Sequence, residues 1–162
     1  MLTEAQAWEV LQQVPDPELP AVSVCELGIV REVRAGPDGL KVVVTPTYSG
    51  CPATEMIGSA IREALESAGA VGVSIETRLS PAWTSDWITV EARAKLQAYG
   101  IAPPQPPAKG YRQPLRFVAP APPCPRCHAR STTRLSEFGS TACKALYRCE
   151  ACREPFEYFK PI

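Results

Sequence analysis

Cys124-Pro125-Arg126-Cys127 and Cys149-Glu150-Ala151-Cys152 are two C-x-x-C pairs with 21 residues between them, and they decide how the C-terminal part of the chain folds. Each pair turns two thiolates toward one point, so a hairpin that joins the pairs supplies the four sulfurs of a tetrahedral metal site. The expected structure is a β-rich zinc ribbon over residues 124–162 with Cys124, Cys127, Cys149 and Cys152 as ligands. The separation is slightly beyond the usual window of about 15 to 20 residues, which a longer hairpin absorbs. Four thiolates accept iron as well as zinc, so spacing alone leaves the metal open.

A disulfide framework is the competing reading of seven cysteines in 162 residues. The odd count fits it poorly. The start, Met1-Leu2-Thr3-Glu4-Ala5-Gln6-Ala7-Trp8, also lacks the basic region and apolar run of a signal peptide. A cytoplasmic location is expected, where thiolates mean metal or chemistry. No apolar stretch approaches the roughly 20 residues that cross a bilayer, so no membrane association is expected.

Upstream of the ribbon, nine of the 18 prolines fall between residues 103 and 125. Such a stretch lacks amide donors and favours extended polyproline conformations, so residues 103–123 read as a stiff linker. The chain then divides into a domain over 1–102, the linker, and the ribbon. The net charge of zero hides an asymmetry across this join: residues 1–102 carry 7 Lys+Arg and 13 Asp+Glu, residues 111–162 carry 9 and 4. A basic ribbon suggests nucleic acid. Four thiolates and one zinc ion add a net charge of about −2, however, and Arg126, Arg130, Arg148 and Arg153 lie close to them in sequence. The aromatic residues Phe138, Tyr147, Phe156, Tyr158 and Phe159 sit where a ribbon needs core filling, so no nucleic-acid partner is expected.

The N-terminal part reads as α-β-β-α-β-α. Residues 3–14 form an amphipathic helix with Ala5, Trp8, Leu11 and Val14 on one side and Thr3 and Gln6 as a capping box. Strands follow over Val22 to Arg34, interrupted at Gly28, and over Leu40 to Pro46, with Gly36-Pro37-Asp38-Gly39 as the turn. A second helix runs to about Ala68, burying Met56, Ile57, Ala60, Ile61, Ala64, Leu65 and Ala68. A strand over Val71 to Leu79 and a helix over Thr89 to Tyr99 complete an α+β domain, with helices on a small mixed β-sheet.

Cys51 stands just before the second helix, where open amides and the helix dipole favour a thiolate. A reactive or metal-binding thiol and a small packed residue are equal readings of it. Cys25, among apolar neighbours, reads as a core residue. Asp16 and Glu18 fit either an acidic metal site or turn chemistry, the turn being the commoner use. Trp83, Thr84, Asp86 and Trp87 form an aromatic-polar loop that suits a partner contact or a cover for the sheet edge. The single histidine, His128, excludes Glu-x-x-His di-iron sites, and neither a dinucleotide fingerprint nor a Walker A loop is present. No independent catalytic activity is expected.

Three segments, Asp16-Pro17-Glu18-Leu19-Pro20, Glu26-Leu27-Gly28-Ile29-Val30 and Pro46-Thr47-Tyr48-Ser49-Gly50-Cys51-Pro52-Ala53, resemble the domain of SufT-type iron-sulfur assembly proteins. Ser80-Pro81-Ala82-Trp83-Thr84, Gly100-Ile101-Ala102-Pro103-Pro104, the run Gly139 to Cys149 and the closing Glu154 to Lys160 narrow the resemblance. Together they look like the D-subunit family of the multicomponent phenylacetyl-CoA epoxidase of aerobic phenylacetate catabolism. The resemblance implies an accessory protein beside oxygenase and reductase subunits, assisting iron-sulfur cluster or iron maturation. A docking adaptor without metal transfer is the alternative.

By position, Cys51 becomes the candidate iron or iron-sulfur ligand, with Asp16 and Glu18 as lesser ones. One thiolate is too few for a stable cluster, which implies a transient site or one shared across a homodimer, supplied by iron-sulfur scaffold or carrier proteins. His128 and Arg153 depart from the glycine that often follows the second cysteine of a knuckle. Cys143 reads as a structural or second functional thiol.

Overall fold

Thr3 starts the first helix, α1 (Glu4–Leu11), through the expected capping box, its hydroxyl accepting from Gln6 N–H while Gln6 accepts from Thr3 N–H. The computed structural model describes residues 2–105 and 120–162, so 106–119 of the expected linker lie outside the described residues. The chain divides into two compact units, Met1–Ala92 and Arg93–Ile162.

In the first unit, β1 (Val30–Gly36) and β2 (Gly39–Val44) pair antiparallel, and β2 pairs parallel with β3 (Val73–Thr77). The parallel step needs a crossover, and α2 (Ala53–Ser67) supplies it. α1 and α2 pack on each other, α1 also on β1 and α2 on β3. The result is a small mixed α+β domain. α2 buries Ala53, Ile57, Ile61 and Leu65, and the three large residues contribute about 1.5–3 kcal/mol each by leaving water. Met56 is 60% exposed and Ala68 is also exposed, contrary to the expected face: the apolar stripe is narrow, and Met56 falls outside it. In α1 the buried residues are Ala7 and Leu11, while Ala5 is exposed.

Val43, which is only 1% exposed, stands in register with Glu32 on β1 and Glu76 on β3. Glu32 pairs with both Arg34 and Arg78, and Glu76 pairs with Arg78 and Lys41.

The expected strand from Val22 to Gly28 is a turn. Ser23 and Glu26 cap each other, Glu26 Oε2 accepting from Ser23 N–H and Ser23 Oγ from Glu26 N–H, and Leu27 N–H reaches Ser23 O. A local S-x-x-E exchange therefore outcompetes sheet pairing for these amides. Gly28 has φ +71, and an added Cβ would lie 2.7 Å from Trp87 Cβ, so only glycine fits. A 3₁₀ turn (Ser85–Trp87) precedes α3 (Val90–Tyr99), whose Ala92 N–H is capped by Thr89 Oγ1.

α3 carries the chain into the second unit. There β4 (Ile101–Ala102), β5 (Thr132–Ser136), β6 (Lys144–Cys149) and β7 (Pro155–Phe159) form a sheet in the order β4-β7-β6-β5. β5, β6 and β7 run antiparallel, and β4 adds in parallel to β7. Tyr147, Phe156 and Tyr158 form the core of this unit, the Tyr147 ring centroid lying 5.9 Å from that of Phe156 and 5.7 Å from that of Tyr158. These aromatics and Phe159 fill the interior as expected, whereas Phe138 is 61% exposed.

Candidate metal centre and the Cys51 loop

The first cysteine pair lies just before β5 and the second starts at the last residue of β6, so the β5–β6 hairpin brings them together. The Sγ atoms of Cys124, Cys127, Cys149 and Cys152 all lie within 4.8 Å of one another. Among the described residues this is the one group of three or more such ligands. Cys127 and Cys149 are 3.5 Å apart, Cys124 and Cys152 3.8 Å. Four sulfurs about 2.3 Å from a tetrahedral zinc stand about 3.8 Å from each other, so the spacing fits the ion. All seven cysteines are free thiols.

Backbone bonds shape both knuckles. Cys124 N–H donates to Ala129 O and His128 N–H to Cys124 O; in the second, Cys149 N–H donates to Glu154 O. His128 and Arg153, each directly after the second cysteine, have φ of 62° and 67°. The sequence departs from glycine there, but the left-handed conformation that glycine would supply is kept.

The electrostatics are uneven. The Cys152 N–H, donated to Cys149 Sγ, is the main reason the Cys149 thiol titrates at about 7. The Glu154 N–H favours the Cys152 thiolate, but local desolvation and the three other sulfurs push Cys152 up to about 12. Four sulfurs without a cation thus cannot all ionise near neutrality, and a cation among them offsets the repulsion. Glu150 pairs with Arg148 and Arg153, so it takes up part of the expected basic excess beside the thiolates.

The sequence gives no sign of a second polar arrangement. Lys144, only 2% exposed, donates to Glu157 Oε2 at 2.8 Å, and Glu157 Oε1 accepts from Ser140 N–H at 2.6 Å. This ties the β5–β6 connection to β7. Although desolvation opposes it, Lys144 and Ser140 hold the Glu157 carboxyl below the usual carboxylate range. Cys143 is buried, with Thr141 Oγ1 3.0 Å from its sulfur, and does not join the ligand cluster.

In the first unit Cys51 is 8% exposed and directly precedes the Pro52 N-cap of α2, which has no side-chain cap. Its N–H donates to Tyr48 O, its carbonyl accepts from Thr54 N–H, and Gly50 before it has φ +81. Asp16 is buried, its Oδ1 accepting from Glu18 and Leu19 N–H at 2.9 Å each, the turn chemistry its sequence allows. Glu18 is half-buried. The structure does not gather Cys51, Asp16 and Glu18 into one ligand cluster.

Cys25 is half-buried, and burial with Glu26 beside it pushes its thiol up to about 12, as suits a packing residue. Trp83 is buried with Nε1 donating to Leu27 O in the turn before β1. Arg31 lies 3.6 Å over the Trp87 ring.

Residues 4–76 match the family model for iron-sulfur cluster assembly proteins, and residues 109–160 match the PaaD zinc beta ribbon domain. The class is therefore an iron-sulfur assembly domain joined to a zinc ribbon. The chain is 50% identical over 157 residues, 97% of its length and 92% of the relative's, to the D component of 1,2-phenylacetyl-CoA epoxidase from Escherichia coli K12. It belongs to that family, the phenylacetyl-CoA epoxidase PaaD proteins.

The first part alone is 38% identical over 96 residues, 58% of this chain and 90% of the relative, to an Fe-S protein maturation auxiliary factor of Porphyromonas gingivalis. Among solved structures, the DUF59 domain from Bacillus anthracis aligns with TM-score 0.54 and 26% identity, over 57% of this chain and 90% of that one. A conserved hypothetical protein of Thermotoga maritima aligns with TM-score 0.50 and 30% identity, over 59% and 94%. Among the described residues no helix is long and apolar enough to cross a membrane.

Proposed function

We propose that this chain is a non-catalytic, cytoplasmic accessory component of the phenylacetyl-CoA epoxidase system that assists iron or iron-sulfur maturation of its oxygenase and reductase partners. The observation that carries the reading is the joining, in one chain, of an iron-sulfur assembly domain over 4–76 to the family's own ribbon over 109–160. Cys51 is the transfer ligand, beside the start of α2, which no side chain caps. A lone thiolate holds a cluster only transiently, so a carrier or scaffold protein, or a second copy of this chain, completes the coordination.

Asp16 and Glu18 are secondary, because Asp16 Oδ1 already takes two backbone amides. Zinc sits among Cys124, Cys127, Cys149 and Cys152 with no open position, so its role is to hold the ribbon together. The domain boundaries that go with this reading are 1–102, a linker over 103–123, and 124–162.

A docking adaptor is the second reading, favoured by Leu135 and Phe138, which are 50% and 61% exposed on the ribbon. Metal analysis of anaerobically purified protein separates the two. The maturation reading expects zinc in both wild type and Cys51→Ser, with iron bound only by wild type. Wild-type protein that takes up no iron from a cluster-loaded carrier supports the adaptor instead.

A further inference from the structure

Two of the four ribbon cysteines are exposed residues and two are buried: Cys127 and Cys152 are exposed, while Cys124 and Cys149 are 1% and 0% exposed. The four-cysteine group thus lies at the surface of the ribbon, with one exposed and one buried cysteine in each pair. Across the knuckles, exposed Cys127 stands 3.5 Å from buried Cys149. The backbone bonds of both knuckles and the aromatic core around Tyr147, Phe156 and Tyr158 hold these positions through the chain itself.

We infer that the ribbon is a peroxide-sensitive metal site, in which a hydroperoxide links Cys127 to Cys149 across the knuckles and releases the metal. This rests on the reading that the ribbon holds zinc. The exposed Cys127 thiolate attacks the peroxide, forming an S–O bond as the O–O bond breaks and an alkoxide or hydroxide leaves. The Cys149 thiolate then displaces hydroxide from the sulfenic sulfur, forming the S–S bond. Two thiolates lose two electrons in all, the hydroperoxide gains them, and two protons from solvent convert the departing oxygens to water and alcohol. The metal keeps two of four thiolates, which no longer make a closed tetrahedral site. The new bond joins the same two knuckles that the metal joined, so the oxidised ribbon keeps its β5–β6 hairpin.

The test uses the full-length wild-type protein, treated with stoichiometric hydrogen peroxide under nitrogen. Metal release is followed with a chromogenic chelator and cross-links by peptide mass spectrometry without reduction. The expected result is a Cys127–Cys149 cross-link that grows in step with released metal, both reversed by a thiol reductant with added zinc. Metal retained after the peroxide is consumed overturns the proposal, as does a cross-link confined to Cys124–Cys127 or Cys149–Cys152. Protein that purifies without metal contradicts the zinc reading instead, and the cross-link map on the same sample still decides the pairing.

Discussion

Gly28 shows how one residue holds a loop in place. Its φ of +71 and the 2.7 Å that would separate an added Cβ from Trp87 Cβ act together. Gly28→Ala should cost about 2 kcal/mol or more, combining left-handed strain with a clash against backbone-anchored atoms. A urea titration followed by tryptophan fluorescence checks it, and the midpoint should fall. Arg153, at φ +67, is the opposite case, a non-glycine residue in a glycine position. Arg153→Gly should leave ribbon stability within about 0.5 kcal/mol, whereas Arg153→Val, β-branched, should cost about 1–2 kcal/mol. Chelator titrations of metal release from the two variants compare them. The gathering of Cys124, Cys127, Cys149 and Cys152 was legible because residue type and spacing point to it. The Lys144–Glu157 pair was not, because a buried lysine in a strand looks the same in sequence as an exposed one until its partner on the neighbouring strand is known.

At the scale of elements, that pair is what anchors the β5–β6 connection to β7. Glu157→Gln should destabilise the ribbon by about 3 kcal/mol, since it strands the ammonium of Lys144 in a buried site. The pH dependence follows from the direction of the shift. The Glu157 carboxyl is held below its ordinary value by the fold, so its contribution is complete above that value and is lost as pH falls through the lowered one. Wild type should lose ribbon stability on acidification below about pH 4.5, and Glu157→Gln should show a flatter profile over that range. Thermal melts in parallel buffers measure this.

Helix α1 was legible from its periodicity and its Thr3–Gln6 capping box, and α2 from its periodicity. Val22 to Gly28 reads as a strand because its β-branched residues resemble one, while the Ser23–Glu26 exchange that makes it a turn is a side-chain event. β4, two residues long, carries no periodicity of its own and exists only because β7 pairs with it.

For the whole molecule, the split between an acidic N-terminal part and a basic C-terminal part was visible in composition, and so was the proline-rich join. The class of protein was legible because Cys51 with its loop and the two C-x-x-C pairs occur in one chain. The partners were not, since no side chain in the sequence records what it meets outside the chain. The two units are unequal in role: in the proposed function the ribbon holds metal for its own fold, and the Cys51 loop handles iron for others. Co-expression of the epoxidase oxygenase and reductase with either wild-type chain or Cys51→Ser, followed by iron analysis of the purified partners, tests this most directly. The expected result is that Cys51→Ser keeps its zinc and its fold while partner iron and epoxidase turnover fall several-fold. Partners that carry full iron and full turnover beside Cys51→Ser would contradict it.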